Sequence, residues 1–195
     1  MEETTMFSQE LADKIDAVAR EEISIYGLPT LRHYELSQEK GANLANRLKA
    51  DVNLVKAGIA LMDIKLGQAA KEGHQPQHVT DCVDFSEKLL KELGVEESFF
   101  SILINSVAAH HGAIEFNSIE AEIVANADCY RFIHPRGVMS FHATVVKRGN
   151  EHDDALKAVE AKLDEKYNIL SLEAAKEDLE GYYNMFKDIL TNGRD

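Results

Sequence analysis

Tryptophan is absent from this 195-residue chain, and proline and cysteine are scarce, at three and two residues. So few prolines exclude a proline-rich linker or recognition tract. The two cysteines, Cys82 and Cys129, form no CxxC pair, so neither a disulfide framework nor a zinc ribbon is on offer. Both fall in helical patterns and read as small buried hydrophobes in a reducing compartment. No apolar run approaches the ~20 residues that a membrane span needs. Positive charge is also short: 21 Lys and Arg stand against 34 Asp and Glu, for a net charge of -13. That balance argues against a general nucleic-acid surface, which exchanges a basic patch for counterions. A small phosphorylated substrate stays open, because a bound metal reverses the local field. The start, MEETTMFSQE, lacks the basic-then-apolar order of a signal peptide. These absences together imply a cytoplasmic protein that engages neither membrane nor nucleic-acid polymer.

What is present is ordinary globular composition, 45% hydrophobic and 28% charged, in a length that suits one domain with a real core. Apolar residues recur at helical spacing, and strand-like alternation is never sustained. A first helix is expected over about Ser8 to Ile25, ending near Gly27-Leu28-Pro29. Thr30 caps a second helix that carries His33 and runs to Leu48, and Asp51 caps a third. In the third, Val55, Ile59, Met62 and Leu66 make one apolar face, with Asp63 on its flank. Gly73-His74-Gln75-Pro76 breaks that helix. A fourth is expected from Gln77 to Leu93, stopped by Gly94, and a fifth from Glu96 to His111, stopped by Gly112. Ser118 starts a sixth that contains Asp128 and ends before Pro135. The rest, Val138 to Leu190, reads as two or three amphipathic helices with a break near Asn168 to Ser171. The expectation is an all-α domain of seven to nine helices.

Five residues stand out against that apolar background: His33, Asp63, His78, His110 and Asp128. Carboxylates are seldom buried without a partner. Asp63 interrupts GIALMDIKLG and Asp128 interrupts IVANADCYRF. Either a metal or a structural ion pair, with Lys65 or Arg131, accounts for them. His110 and His111 adjoin at a helix end, where neighbours point about 100° apart, so one of them, His110 first and His111 second, is expected to face inward. His74 and His78 are four apart, but Pro76 between them argues against a shared helical face. His134, His142 and His152 are weaker candidates. Three imidazoles and two carboxylates, converging from separate helices, would hold one or two divalent cations.

The order of these residues resembles the HD superfamily of metal-dependent phosphohydrolases. The likeness runs from His33 to Asp128, about half the chain. ALMDIKLG is similar to that family's HD segment, HVTDCVDFSEKLL to its third histidine helix, and AAHHG with IVANAD to its last two motifs. The resemblance implies an HD-like helical bundle with a motif core over about 30–135 and C-terminal helices over about 138–192 packed on it. It implies a first metal on His33, Asp63 and Asp128, and a second on His78 and His110 (or His111), bridged by Asp63. The ions would be Mn, Fe, Ni, Co or Zn. It implies hydrolysis of a small phosphorylated substrate, a nucleotide or related phosphoester, by metal-activated water, with Asp63 and Lys65 catalytic and Lys65 and Arg131 steadying the phosphate.

One departure matters. Met62 stands where the family has the histidine of its HD pair, and a neutral thioether is a poor ligand for hard divalent ions. Two readings follow: a working hydrolase with a reduced site, or a degenerate HD domain that binds a ligand or a protein without turnover. The helices after Val138 carry no catalytic signature; completing the core, covering the pocket and forming a homodimer face all remain open to them.

Overall fold

A computed structural model describes residues 6–194. The first five residues of the acidic N-terminal stretch, on which the expectation about a signal peptide partly rests, lie outside the described residues. Among the described residues every regular element is helical, and no helix is long and apolar enough to cross a membrane. The elements are α1 (Gln9–Tyr26), α2 (Leu31–Leu48), α3 (Val52–Met62), α4 (Leu66–Glu72), a 3-10 turn (Gln75–Gln77), α5 (His78–Glu92), α6 (Glu97–Ala109), α7 (Ile119–Ile133), α8 (Pro135–Lys147), α9 (His152–Ile169) and α10 (Glu173–Asn192).

Helix boundaries follow local chemistry. Gly27 ends α1 in the left-handed region, at φ 76°, where a glycine carries no steric penalty. The Thr30 hydroxyl accepts from the His33 amide. Asp51 caps α3 by accepting from the amides of Asn53 and Leu54, and its other oxygen accepts from Phe7. Ser118 accepts from the Ala121 amide at the start of α7. Each such cap satisfies donors that the helix itself leaves orphaned.

The third helix was expected to run unbroken from Asp51 to Gly73. It is instead interrupted at Asp63, whose backbone leaves the helix at φ -125° and ψ 20°. The turn through Ile64 and Lys65 separates α3 from α4, and it swings the Asp63 carboxylate toward α7. Among the described residues, counting α3 and α4 as one broken helix gives nine.

The core has two parts that share α3. Leu36, Val55, Ile59, Met62, Ile123, Leu163 and Phe186 belong to one part. Ile15, Ile23, Leu54, Leu61, Leu90 and Leu103 belong to the other. α3 is therefore buried all round, not on the single face expected. At about 1.5–3 kcal/mol per large apolar side chain removed from water, these two parts dominate stability. α3 and α7 approach so closely that a Cβ on Gly58 would lie 2.8 Å from Val124. Pro135 opens α8, where its missing amide costs nothing. α9 packs on α7 and α8, and α10 on α9 and α7.

Candidate metal centre

Asp63 is the hub. Its carboxylate is buried, and its two oxygens face different partners. Oδ1 lies 3.4 Å from His78 Nε2 and 3.6 Å from His110 Nε2. Oδ2 accepts from Arg131 Nη1 at 2.5 Å. Burial by itself would raise the Asp63 pKa; the Arg131 charge, with help from the two imidazoles, overrides it and holds the group well below the usual carboxylate range.

Two histidines are oriented as ligands by their other nitrogen. His110 Nδ1 lies 2.7 Å from the Val107 carbonyl and His78 Nδ1 2.9 Å from the Gln75 carbonyl. A carbonyl only accepts, so both Nδ1 atoms carry the proton and both Nε2 lone pairs face Asp63. His110 Nε2 is fully buried and has no hydrogen-bond partner. Four ligands around an ion at ~2.0–2.1 Å sit about 3.3–3.4 Å apart, close to the spacings that Asp63 Oδ1 makes with these imidazoles.

His111 also reaches the cluster: one nitrogen from each of His78, His110 and His111 lies within 4.8 Å of the others. The expectation that only one of the adjacent pair faces inward is corrected here. α6 ends at Ala109, so His110 and His111 occupy the following turn and the 100° rule of a continuous helix does not apply. His111 differs in tautomer. Its Nδ1 accepts from Lys166 Nζ at 3.0 Å, so its proton sits on Nε2, 3.3 Å from His78 Nε2. It can ligate only after giving up that proton. Burial, then the nearby His110 and Lys166, push its pKa down to about 3. His78 is the reverse: burial disfavours its charge, but Asp63 wins and the pKa is raised.

On the far side of Asp63 the chemistry changes. Arg131 Nη1 also donates to Asp128 Oδ1 at 2.7 Å, and Lys166 Nζ lies 2.6 Å from Asp128 Oδ2. Arg131 is 3% exposed and Lys166 is fully buried. Burial works against all three charges. Lys166 and Arg131 nonetheless hold Asp128 well below the usual range, and Asp128 raises both cations in turn. His33 Nε2 lies 3.0 Å from the Gly137 carbonyl, so that nitrogen is a donor and its lone pair is not free. Burial and then Arg131 push His33 down to about 4.

Lys65, expected as a catalytic and phosphate-binding residue, belongs elsewhere. Its ammonium pairs with Glu22 at 2.9 Å and lies over the Phe85 ring, because the turn that brings Asp63 in carries its second neighbour outward. Arg131 is found in the ion-pair role that stood as its alternative. Met62 is core filling, at 2% exposure. Among the weaker histidines, His134 caps α8, His152 meets the Gly193 carbonyl, and His74 pairs with Asp81.

Sequence reasoning missed Lys166, on a segment read as carrying no catalytic signature. A signal was present: Val159, Leu163, Lys166 and Leu170 fall at i, i+4, i+7 and i+11, and all four are buried. A lysine within an apolar stripe requires an anion. α9 delivers it to a cavity of about 420 Å³ beside the cluster, which Phe132 and Phe141 wall on one side and Arg148 and Lys162 border.

No family model matches the chain. It is 26% identical over 152 residues to Ribonuclease Y of Streptococcus agalactiae, which is 78% of this chain and 26% of that protein. The chain thus spans about a quarter of the length of that relative. Among solved structures, Bacillus subtilis YpgQ aligns with a TM-score of 0.67 at 16% identity, over 94% of this chain and 93% of its own. A predicted HD superfamily hydrolase from an uncultured Thermotogales bacterium aligns with a TM-score of 0.57 at 22% identity, over 78% and 84%.

Proposed function

We propose, from the HD-superfamily fold that this chain adopts, that it is a metal-dependent phosphohydrolase whose divalent ion is held by Asp63, His78 and His110. One observation carries this reading: two Nε2 lone pairs, one of them fully buried without a partner, converge on one oxygen of a buried carboxylate. Imidazole and carboxylate donors suit Mn²⁺, Fe²⁺, Co²⁺, Ni²⁺ or Zn²⁺. Such an ion supplies Lewis acidity and lowers the pKa of a water molecule.

The chain's own residues supply the rest. Val107 and Gln75 fix the tautomers of His110 and His78, so the donor set is ready before an ion arrives. Arg131 and Lys166 neutralise the two carboxylates beside the centre, and Arg148 and Lys162 line the same cavity, Lys162 paired with Glu165. The four lining cations exceed the three lining carboxylates by one, which favours an anion despite the net charge of -13. Apolar walls at Phe132 and Phe141 limit water around the reacting group. A cavity of about 420 Å³ lies within the ~300–1,000 Å³ of small-molecule sites, which favours a nucleotide or another small phosphoester.

A second reading has an observation of its own. Both acidic residues are already paired with buried cations, as in a domain that binds a phosphorylated ligand without turnover. RNA is a further substrate to test, since the Streptococcus relative is a Ribonuclease Y. The test is a hydrolysis screen with Mn²⁺ over nucleoside mono-, di- and triphosphates, an aryl phosphate and a short single-stranded RNA. Turnover that chelator removes and His110→Ala abolishes supports the enzyme. Thermal stabilisation by a nucleotide with no product at any metal concentration supports the binding module.

A further inference from the structure

The two halves of the centre differ in what faces the acidic oxygens. On the His78 and His110 side there are two imidazole Nε2 atoms. On the Asp128 side, where the HD resemblance places a first metal, there are two fully formed cations. We propose that this protein carries one divalent ion, and that Arg131 and Lys166 stand as fixed cations where a first ion would lie between Asp63 and Asp128. The inference rests on the reading of Asp63, His78 and His110 as the ion's ligands.

Four observations carry it. Every oxygen available to a first ion has a cationic donor: Asp63 Oδ2 and Asp128 Oδ1 share Arg131 Nη1 at 2.5 and 2.7 Å, and Asp128 Oδ2 has Lys166 Nζ at 2.6 Å. A divalent ion bound to those same oxygens would sit in contact with the Arg131 guanidinium and the Lys166 ammonium, a like-charge contact that is strongly unfavourable in a buried setting. His33 commits its Nε2 to the Gly137 carbonyl as a donor, which leaves only Nδ1 with a lone pair. Met62 supplies at most a soft thioether from within the core.

The arrangement is built in twice over. Arg131 is one helical turn after Asp128 on α7, so the pair comes with the helix itself. Lys166 arrives from α9, a separate element, and its second contact, with His111, links the fixed cations to the histidine side. Arg131 in turn fixes the rotation of the Asp63 carboxylate and leaves Oδ1 for the imidazoles. It is a positioning residue.

The experiment is a metal count on the full chain, by calorimetric titration of Mn²⁺ into chelator-treated protein and by elemental analysis after desalting. The expected result is one ion per chain. His33→Gln, which keeps a donor for Gly137, is expected to leave affinity within about twofold. His78→Ala is expected to weaken it by about tenfold or more, the scale of losing a ligand or its support. Two ions per chain, or a loss of about tenfold in His33→Gln, overturns the fixed-cation inference while the hydrolase reading stands. No ion in the wild-type chain, at concentrations that saturate a control metalloprotein, overturns the ligand assignment itself. A second variant guards against misfolding artefacts. Arg131→Met with Lys166→Met removes both charges at similar volume, and circular dichroism checks the fold. A folded double variant is expected to take up a second ion, and one that still binds a single ion counts against the inference.

Discussion

Lys166 sits at zero exposure with its ammonium shared between Asp128 and His111. An ammonium in that position is tolerated only because the carboxylate is there, and the converse holds for Asp128. Removing one partner strands the other's charge, at a cost of about 3–5 kcal/mol. Lys166→Met is therefore expected to lower the urea midpoint sharply, and adding Asp128→Asn in the same chain should recover part of the loss. Additive losses would show that the two charges do not depend on each other. Asp63 makes a different demand. Asp63→Asn keeps an oxygen for Arg131 but removes the negative charge that faces His78 and His110. Mn²⁺ binding is expected to disappear in calorimetric titration while the helical circular-dichroism signal remains. At this scale the sequence singled out Asp63, Asp128, His78 and His110, and the structure brings the four together around Asp63 and Arg131; Asp63 and Asp128 were legible because a carboxylate inside an apolar run needs an explanation. Lys65 and Lys166 went the other way. The apolar stripe around Lys166 carried a signal that was missed, but that Asp128 is the anion it meets, and that Lys65 turns to Glu22, only packing decides.

Elements explain how those side chains meet. α3 stops at Met62 so that Asp63 can leave the helical path, and α6 stops at Ala109 so that two adjacent histidines face one point. The stop at Asp63 has no glycine or proline, so it could not be read from the turn signals that located Gly27, Gly73 and Gly94; Gly112 marked the end of α6 to within two residues but not the turn that brings both histidines in. The junction of α7 and α8 is equally demanding. A Cβ on Gly137 would come within 2.3 Å of the Arg131 carbonyl oxygen, and the Gly137 carbonyl is the partner of His33. Gly137→Ala must shift the start of α8 against the end of α7. Overpacking of this kind costs about 1–3 kcal/mol, to be read as a lowered urea midpoint. An unchanged midpoint would mean that the junction yields freely and does not hold Arg131 in place.

At the scale of the whole molecule, buried groups whose charges are set by their neighbours make stability depend on pH. His33 falls from 6.5 to about 4 on folding, so the unfolded chain binds the proton more tightly. Its contribution is fully present above pH 6.5 and is lost as pH falls through 4. That loss is about 3 kcal/mol. Asp63 and Asp128, both depressed, add a further loss below the ordinary carboxylate range. Urea midpoints are expected to fall between pH 7 and pH 4.5, and His33→Gln should make that interval shallower, with His111, pushed down to about 3, supplying the remaining slope. A His33→Gln profile parallel to wild type would place the titration elsewhere.

Composition and periodicity alone determined the all-α class, nearly every helix boundary with a cap or a glycine, and the set of chemically costly residues from His33 to Asp128. They could do so because helix period, capping and the cost of burying charge are local properties. Whether Asp128 meets a metal or a cation is not local. It depends on α9 laying Lys166 across α7, some 40 residues further along the chain, and on which oxygen of Asp63 the Arg131 guanidinium takes. Only the tertiary structure decided that, because the balance of buried charge belongs to side chains that the sequence leaves far apart.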